Sequence, residues 1–419
     1  MTRTGDDVLT ARDKGLPARA IGLSVAEFLA TRPRLDEFWT PLIALDDAAM
    51  DANVTTMAEW CGHRGLDLMP HGKTTMAPAL WKRQTDAGAT GITLATMGQV
   101  RTGRDLGLES VMLANAAVDP HALAWLAGEL ADPAFRFVSW ADCIATVEAM
   151  EEGLRITGTP RPVDVLVELG AAGGRTGARS VAEAVRVAER IAGSPVLRLA
   201  GVAGYEGSLA HDRSPAALAA VRAYLEQQLE LHSAIAALYD DGDLLVTAGG
   251  SAYFDVVADV WEGAGRDGRT RFTLRSGAYI VHDDGFYRGI SPFDGGASAS
   301  DPSPRFVNAM HGFARVVSSP EAGLALVDGG KRDLPYDEGL PIPRAWSTGL
   351  SGPWQPLQGE VSAMNDQHAY VRSSQPLTVG SVVRLGLSHP CTAFDKWRLL
   401  PVVESAGSDL VVDLVRTYF

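Results

Sequence analysis

Cysteine is scarce: Cys61, Cys143 and Cys391 are the only three in 419 residues. Three thiols cannot staple a disulfide scaffold, and each is free for other chemistry in a chain suited to a reducing cytoplasm. Lysine is scarce as well, with Lys14, Lys73, Lys82, Lys331 and Lys396 as the complete set. A reaction that needs an amine therefore has few candidates. Basic charge is in deficit overall, since 37 Lys and Arg against 51 Asp and Glu leave a formal charge of −14. That excludes a broad basic face for nucleic acid and makes any anion site local. No uninterrupted apolar stretch reaches the ~18 residues of a membrane helix. The first 20 residues carry charges of both signs and no apolar core of a secretory signal. The expected compartment is the cytoplasm, with neither a membrane nor a nucleic acid as partner.

What is present is ordinary for a folded chain: 46% hydrophobic and 21% charged residues, with length enough for two domains or one large barrel plus an appendage. From about residue 40, short apolar runs alternate with longer amphipathic stretches, the pattern of parallel strands joined by crossover helices. Candidate strands are 40–46 (TPLIALD), 66–72, 91–97, 110–116, 134–140, 162–170, 197–205, 244–249 and 271–278, one plus eight. Between them, 179–192 (RSVAEAVRVAERIA) carries helical spacing, and 214–238 opens with Ser-Pro, a cap and a first-turn proline. Eight βα units over this length predict a (β/α)8 TIM barrel at 40–285. After residue 286 the texture changes to Gly, Pro and Ser followed by short strands, predicting an all-β domain at 286–419. Residues 1–39 could join that domain, and 291–304 is the one low-complexity loop.

In a barrel, reactive groups gather at the carboxyl ends of the strands. Five places stand out. Pro70-His71-Gly72-Lys73-Thr74-Thr75 puts a lysine just past a strand, where partial desolvation favours an amine able to form a Schiff base; a solvated loop lysine is the plain alternative. Gly249-Gly250-Ser251 ends the run LLVTAG ahead of a helical pattern, so backbone N–H groups could hold an anion, or the turn could simply be capped by serine. Arg175, inside GGRTG after the run PVDVLVE, offers a planar fork to a carboxylate or a cofactor oxygen, or is a solvated arginine. Tyr205, in GYEGS, either faces the barrel mouth or is packed and satisfied. In the second domain, His389 and Cys391 lie two apart in SHPCT on a segment read as extended, so an imidazole and a thiolate can converge on one divalent metal. Two ligands alone would leave open positions, the catalytic rather than the structural type; an unmetallated pair is the other reading.

Taken in order, PHGKT, GITLATMGQ, ELG with GRTG, GYEGS, AGGS and SHPCTAFDKW resemble the D-serine dehydratase/D-threonine aldolase family. These are pyridoxal-phosphate enzymes of fold type III with the alanine-racemase-like fold. The resemblance spans residues 40 to 410, and PHGKT and SHPCT are its most specific parts. It implies that Lys73 carries pyridoxal 5'-phosphate, that Gly249, Gly250 and Ser251 hold the phosphate through backbone N–H groups, and that Arg175 and Tyr205 flank the ring. It further implies that His389 and Cys391 ligate a divalent metal, zinc by donor type, with manganese or magnesium as alternatives, and that the protein is a homodimer.

The activity so implied is that of a lyase removing water from a D-β-hydroxy amino acid, D-serine being the simplest, to give an oxoacid and ammonia. Family aldolases tend to carry an aspartate where this chain has Cys391, whereas the dehydratases tend to keep His-x-Cys. The alternatives are retro-aldol cleavage to glycine and an aldehyde, and a non-catalytic pyridoxal-phosphate carrier. The chain departs from the family in its N-terminal extension, in the 291–304 loop, and in PHGKTTM, which lacks the second histidine often seen after the lysine motif.

Overall fold

A computed structural model of the chain describes residues 8–264, 268–294 and 304–419. Eight of the apolar runs become strands of one parallel sheet: β2 (Asp67–Leu68), β3 (Ile92–Leu94), β4 (Ser110–Leu113), β5 (Arg136–Ala141), β6 (Val163–Leu169), β7 (Leu197–Gly204), β8 (Leu244–Ala248) and β9 (Thr270–Leu274). Their order is β2-β9-β8-β7-β6-β5-β4-β3. The two ends of this series meet through a parallel bridge between His71 and Thr93, supported by Thr93 N–H donating to Pro70 O and Thr90 N–H to Leu68 O. The sheet therefore closes into a barrel, which leaves it no free edge. A small apolar group (Met69, Met112, Val138, Trp140, Leu166, Ala200, Ala203) fills its interior.

The crossover helices follow the local signals. Val181–Ala192 begins after Ser180, whose side chain accepts from Glu183 N–H, and buries Ala184, Val187, Ala188 and Ile191 at the three- and four-residue spacing of one helical face. Pro215–Ala234 begins after Ser214, which accepts from Ala217 N–H, with proline in the first turn.

The run at 40–46 does not enter the barrel. Its strand β1 (Leu42–Asp46) pairs antiparallel with β10 (Met310–Glu321) and parallel with Leu399–Val403. All five of its residues are buried, and such a run reads alike in a barrel and in the middle of a second sheet. The barrel strands proper thus begin at Asp67 rather than near residue 40. The second sheet adds Ile342–Ser347, Val382–Gly386 and Val411–Arg416 around β1 and β10. Described residues of the 1–39 segment lie against it: Leu35 N–H donates to Asp409 O, and Asp13 and Lys14 pair with Arg416 and Asp333 at 3.0 and 3.1 Å. Positions 295–303 of the 291–304 loop lie outside the described residues. Among the described residues, no helix is long and apolar enough to cross a membrane.

Asn53, fully buried in the helix Asp47–Arg64, ties the barrel's exit to the second domain. Its Nδ2 donates to Ile280 O (3.2 Å) and Val307 O (2.7 Å), while its Oδ1 accepts from Val307 N–H (2.7 Å). Asn53→Ala leaves the buried Ile280 O and the part-buried Val307 N–H and O without these partners and is expected to lower the unfolding free energy by about 1–3 kcal/mol. A urea titration checks this, and a loss under about 0.5 kcal/mol, the range of ordinary surface changes, would contradict it.

Candidate active site

At the carboxyl ends of the barrel strands, a cavity of about 260 Å³ is roofed by the second domain. Of the eight residues singled out in the sequence, seven line it: Lys73, Arg175, Tyr205, Gly250, Ser251, His389 and Cys391. Gly249 does not; it is buried one residue behind the wall.

Lys73 sits in a single 3-10 turn, Gly72–Thr74, just past β2. Only glycine fits before it, because a Cβ at Gly72 would meet Ile92 Cγ2 at 2.5 Å and Trp81 Nε1 at 2.7 Å; Trp81 Nε1 in turn donates to Gly72 O at 3.1 Å. Burial lowers the Lys73 pKa below the ordinary lysine value. Cys391 acts to raise it, while the positive charges of Arg175 and Arg275 lower it further. A depressed amine is the form that can act as nucleophile or base near neutrality. Beside it, burial and the charges of Lys73 and Arg275 hold His71 well below its usual pKa, so it is neutral. Its Nδ1 is buried without a partner among the described residues.

Arg175 is exposed at the rim, its guanidinium 4.9 Å from the centre of the Tyr205 ring. Burial, and next the charge of Glu206, push the Tyr205 phenol up, so it remains protonated. Arg275 follows β9 and is buried. It donates to Thr247 Oγ1 and Gly204 O, each at 2.6 Å, and lies 4.7 Å over the Trp140 ring.

The glycine turn departs from expectation. The amides of Gly249 and Gly250 do not face the cavity as a vacant anion seat. They donate to the two carboxylate oxygens of Glu206, at 3.0 and 2.6 Å. Gly250 and Ser251 still line the cavity, with Tyr287 beside them.

His389 and Cys391 meet, though not by strand alternation. His389 is the extended cap of a short helix, Pro390–Phe394, with Cys391 in its first turn, and both side chains line the cavity. His389 Nδ1 lies 2.6 Å from Asp337 Oδ2, and Thr392 Oγ1 donates to Asp337 Oδ1 at 2.6 Å. Burial acts to lower the His389 pKa, but Cys391 and Asp337 push it up to about 9. For Cys391, burial acts to raise the pKa; the hydrogen bond and charge of His389 outweigh it and bring the thiol below its ordinary value. Cys391 Sγ is 3.4 Å from Thr74 Oγ1, next to Lys73.

The donor sets fit the groups that the sequence points to. A depressed lysine, a wall of Gly207, Gly250 and Gly277 without side chains, and Ser251 with Arg175 for an anion suit a flat, phosphorylated aldehyde. An imidazole and a thiol, with a carboxylate on the other imidazole nitrogen, suit a divalent metal held on an open site. Among the described residues, no group of three or more His, Cys, Asp or Glu could enclose an ion, so the remaining positions would fall to substrate or water.

Sequence reasoning gave no role to His71, Glu206 or Arg275, although the first two sit inside quoted motifs and the third immediately follows a strand. Asp337 carries no such signal: it is 52 positions from His389 in irregular chain.

The chain is similar to known proteins over most of its length. The family described as "Alanine racemase, N-terminal domain" matches residues 45–254, and that described as "Putative serine dehydratase domain" matches residues 309–403. A D-threonine aldolase of Arthrobacter sp is 28% identical over 365 residues, 85% of this chain and 86% of that protein. Among solved structures, a D-threonine aldolase from Filomicrobium marinum superposes with a TM-score of 0.75 at 26% identity, over 91% of this chain and 96% of that one. A D-threo-3-hydroxyaspartate dehydratase from Delftia sp. HT23 shares the fold with a TM-score of 0.73 at 21% identity, over 92% and 99%. A metal-free form of an enzyme of that name, with a cysteine changed to alanine, does so with a TM-score of 0.72. With the alanine racemase match alone covering half of the residues, the chain belongs to the alanine-racemase-like, fold-type III family of pyridoxal-phosphate enzymes.

Proposed function

We propose that the protein is a pyridoxal-phosphate- and divalent-metal-dependent lyase that eliminates water from a D-β-hydroxy amino acid, D-serine being the simplest, to give an oxoacid and ammonia. The observation that carries this reading is that one cavity joins Lys73 from the barrel to the His389–Cys391 pair from the second domain. Pyridoxal phosphate, when bound, delocalises the negative charge that develops at a substrate's α-carbon. Lys73 would hold it, and the same amine, with its lowered pKa, would take the α-proton as general base. Ser251 would hold the phosphate against the Gly250 surface, and Arg175 and Tyr205 would flank the ring. His389 and Cys391 would hold the metal, which supplies Lewis-acid stabilisation to an oxygen bearing charge. Asp337, bonded to Nδ1, fixes the imidazole so that its other nitrogen is free for a ligand.

The His-x-Cys donor pair favours elimination, and one relative of the same fold is a dehydratase. The balance is simple: D-serine loses its α-proton and its β-hydroxide, and water returns when the released enamine hydrolyses, giving pyruvate and ammonium. A second reading, retro-aldol cleavage, is favoured by similarity to D-threonine aldolases at 28% and 26% identity. The product decides. Purified protein with pyridoxal phosphate and Zn2+ or Mn2+ is incubated with D-serine, D-threonine and D-threo-3-hydroxyaspartate. Oxoacid and ammonia in equal amounts are expected, glycine as the main product overturns the dehydratase assignment in favour of the aldolase, and no turnover leaves a carrier. A homodimer belongs to the same proposal and is tested by a solution mass twice the 44.4 kDa of the chain.

A further inference from the structure

We infer that Glu206 is a positioning residue that builds the phosphate seat from behind, clamping the Gly249–Gly250 turn so that Gly250 and Ser251 face the cavity. The inference rests on the reading of that cavity as the pyridoxal-phosphate site.

Glu206 opens the 3-10 turn after β7 and has 0% of its surface exposed. A carboxylate out of water needs strong partners. It finds them in two successive amides, one per oxygen: Gly249 N–H at 3.0 Å and Gly250 N–H at 2.6 Å. Successive amides aimed at one anion form the concave arrangement that phosphates use elsewhere. Gly249 adopts it through its φ of +89°, a left-handed value that glycine reaches without strain. Here the anion is supplied by the chain itself.

The carbonyl side of the turn is held as firmly. Ser276 Oγ lies 3.0 Å from Gly249 O and 3.2 Å from Gly250 O, and Arg275 N–H donates to Gly249 O at 3.2 Å. Arg275, 3% exposed, has Glu206 as the foremost charge that favours its cationic form, and it reaches Gly204 O and Thr247 Oγ1. The ends of β7, β8 and β9 are thus joined into one closed set: Gly204 and Glu206 from the first, Thr247 and the glycine pair from the second, Arg275 and Ser276 from the third. Tyr205 packs on the turn from the cavity side, where a Cβ at Gly250 would meet its Cε2 at 2.9 Å.

Two consequences follow. The glycine amides are already satisfied, so a cofactor phosphate is left the next part of the loop, Ser251 and the Gly250 surface. The seat is also formed before any ligand arrives, because an internal carboxylate does the ordering that the phosphate would otherwise have to do.

Affinity for pyridoxal 5'-phosphate against pyridoxal isolates this role, since both aldehydes can react with Lys73 and only one carries the phosphate. Wild-type protein is expected to give a visible band with both and to prefer the phosphorylated form strongly. Glu206→Gln keeps an oxygen for one amide and turns an NH2 donor on the other. Glu206→Asp keeps the charge opposite Arg275 but is too short to span both amides. Each is expected to weaken pyridoxal phosphate binding at least tenfold while changing pyridoxal binding less than threefold, with the melting temperature of the free protein recorded alongside. Ser276→Ala loosens the same turn from its carbonyl side, is expected to narrow the preference in the same direction, and decides the matter where neither Glu206 variant folds. Equal weakening of both aldehydes, or no weakening of either, overturns the inference and leaves Glu206 a structural residue. A wild-type protein that forms no band with either aldehyde overturns the cofactor reading itself, a distinct failure.

Discussion

Lys73→Ala is expected to remove the visible band given by pyridoxal phosphate and to lower lyase turnover about 10⁴-fold or more, because one side chain serves as both covalent anchor and base. The other four lysines offer no substitute. Lys14 is held by Asp333 over Trp397, Lys82 by Asp86 and Lys396 by Asp395, and Lys331 sits with Tyr336; none lines the cavity. Lys73→Arg is the sharper control. It keeps a positive charge near Cys391 but presents a group that stays protonated and forms no Schiff base, so it is expected to fail equally.

The wild-type pH dependence carries a sign. Only the neutral amine attacks an aldehyde, and burial lowers the Lys73 pKa below 10.5. The rate of cofactor loading is therefore expected to rise with pH and level off below 10.5, followed by stopped-flow absorbance. A rate still climbing beyond that value, or a Lys73→Ala protein with a normal band, would end the assignment of this lysine.

Much of this site was legible in the sequence because barrel chemistry has an address. Residues just past apolar runs converge on one mouth, so Lys73, Arg175, Tyr205 and Ser251 could be proposed from position alone. What could not be read was whatever depends on contacts between distant elements. β1 looked like a barrel strand because a fully buried run has the same composition in either sheet, and only its pairing with β10 and Leu399–Val403 assigns it. The Gly249–Gly250 turn advertised an anion site, but nothing local said that its anion would be Glu206, arriving from the neighbouring strand. His389 and Cys391 do line one cavity, but not by the alternation of an extended segment, since Pro390 starts a helix at its first turn, a position where proline is favoured. Asp337 was out of reach because loop residues 52 positions apart leave no periodic trace.

The pair in the second domain makes the other large prediction. His389→Ala and Cys391→Ala each remove one of the two protein donors proposed for the metal, and neither holds the cofactor. The two measurements should therefore separate: the visible band at Lys73 persists while turnover falls about 10²–10⁴-fold, the range for several kcal/mol of lost Lewis-acid stabilisation. Chelation of the wild-type protein should reproduce the fall, and Zn2+ or Mn2+ should restore the wild-type protein but neither variant. Asp337→Asn leaves both donors in place and disturbs only the orientation and basicity of His389, so it should cost about 10–100-fold in metal affinity and be rescued by raised metal concentration. The gradation matters as much as the losses. If the pair merely braced the roof of the cavity, all three variants would be insensitive to added metal and their activity would follow their melting temperatures. If the protein instead moved a proton at the α-carbon without breaking a β-bond, chelation would leave turnover intact. Full activity in chelated protein, confirmed metal-free by elemental analysis, is thus the result that removes the metal from the reaction and the dehydratase reading with it.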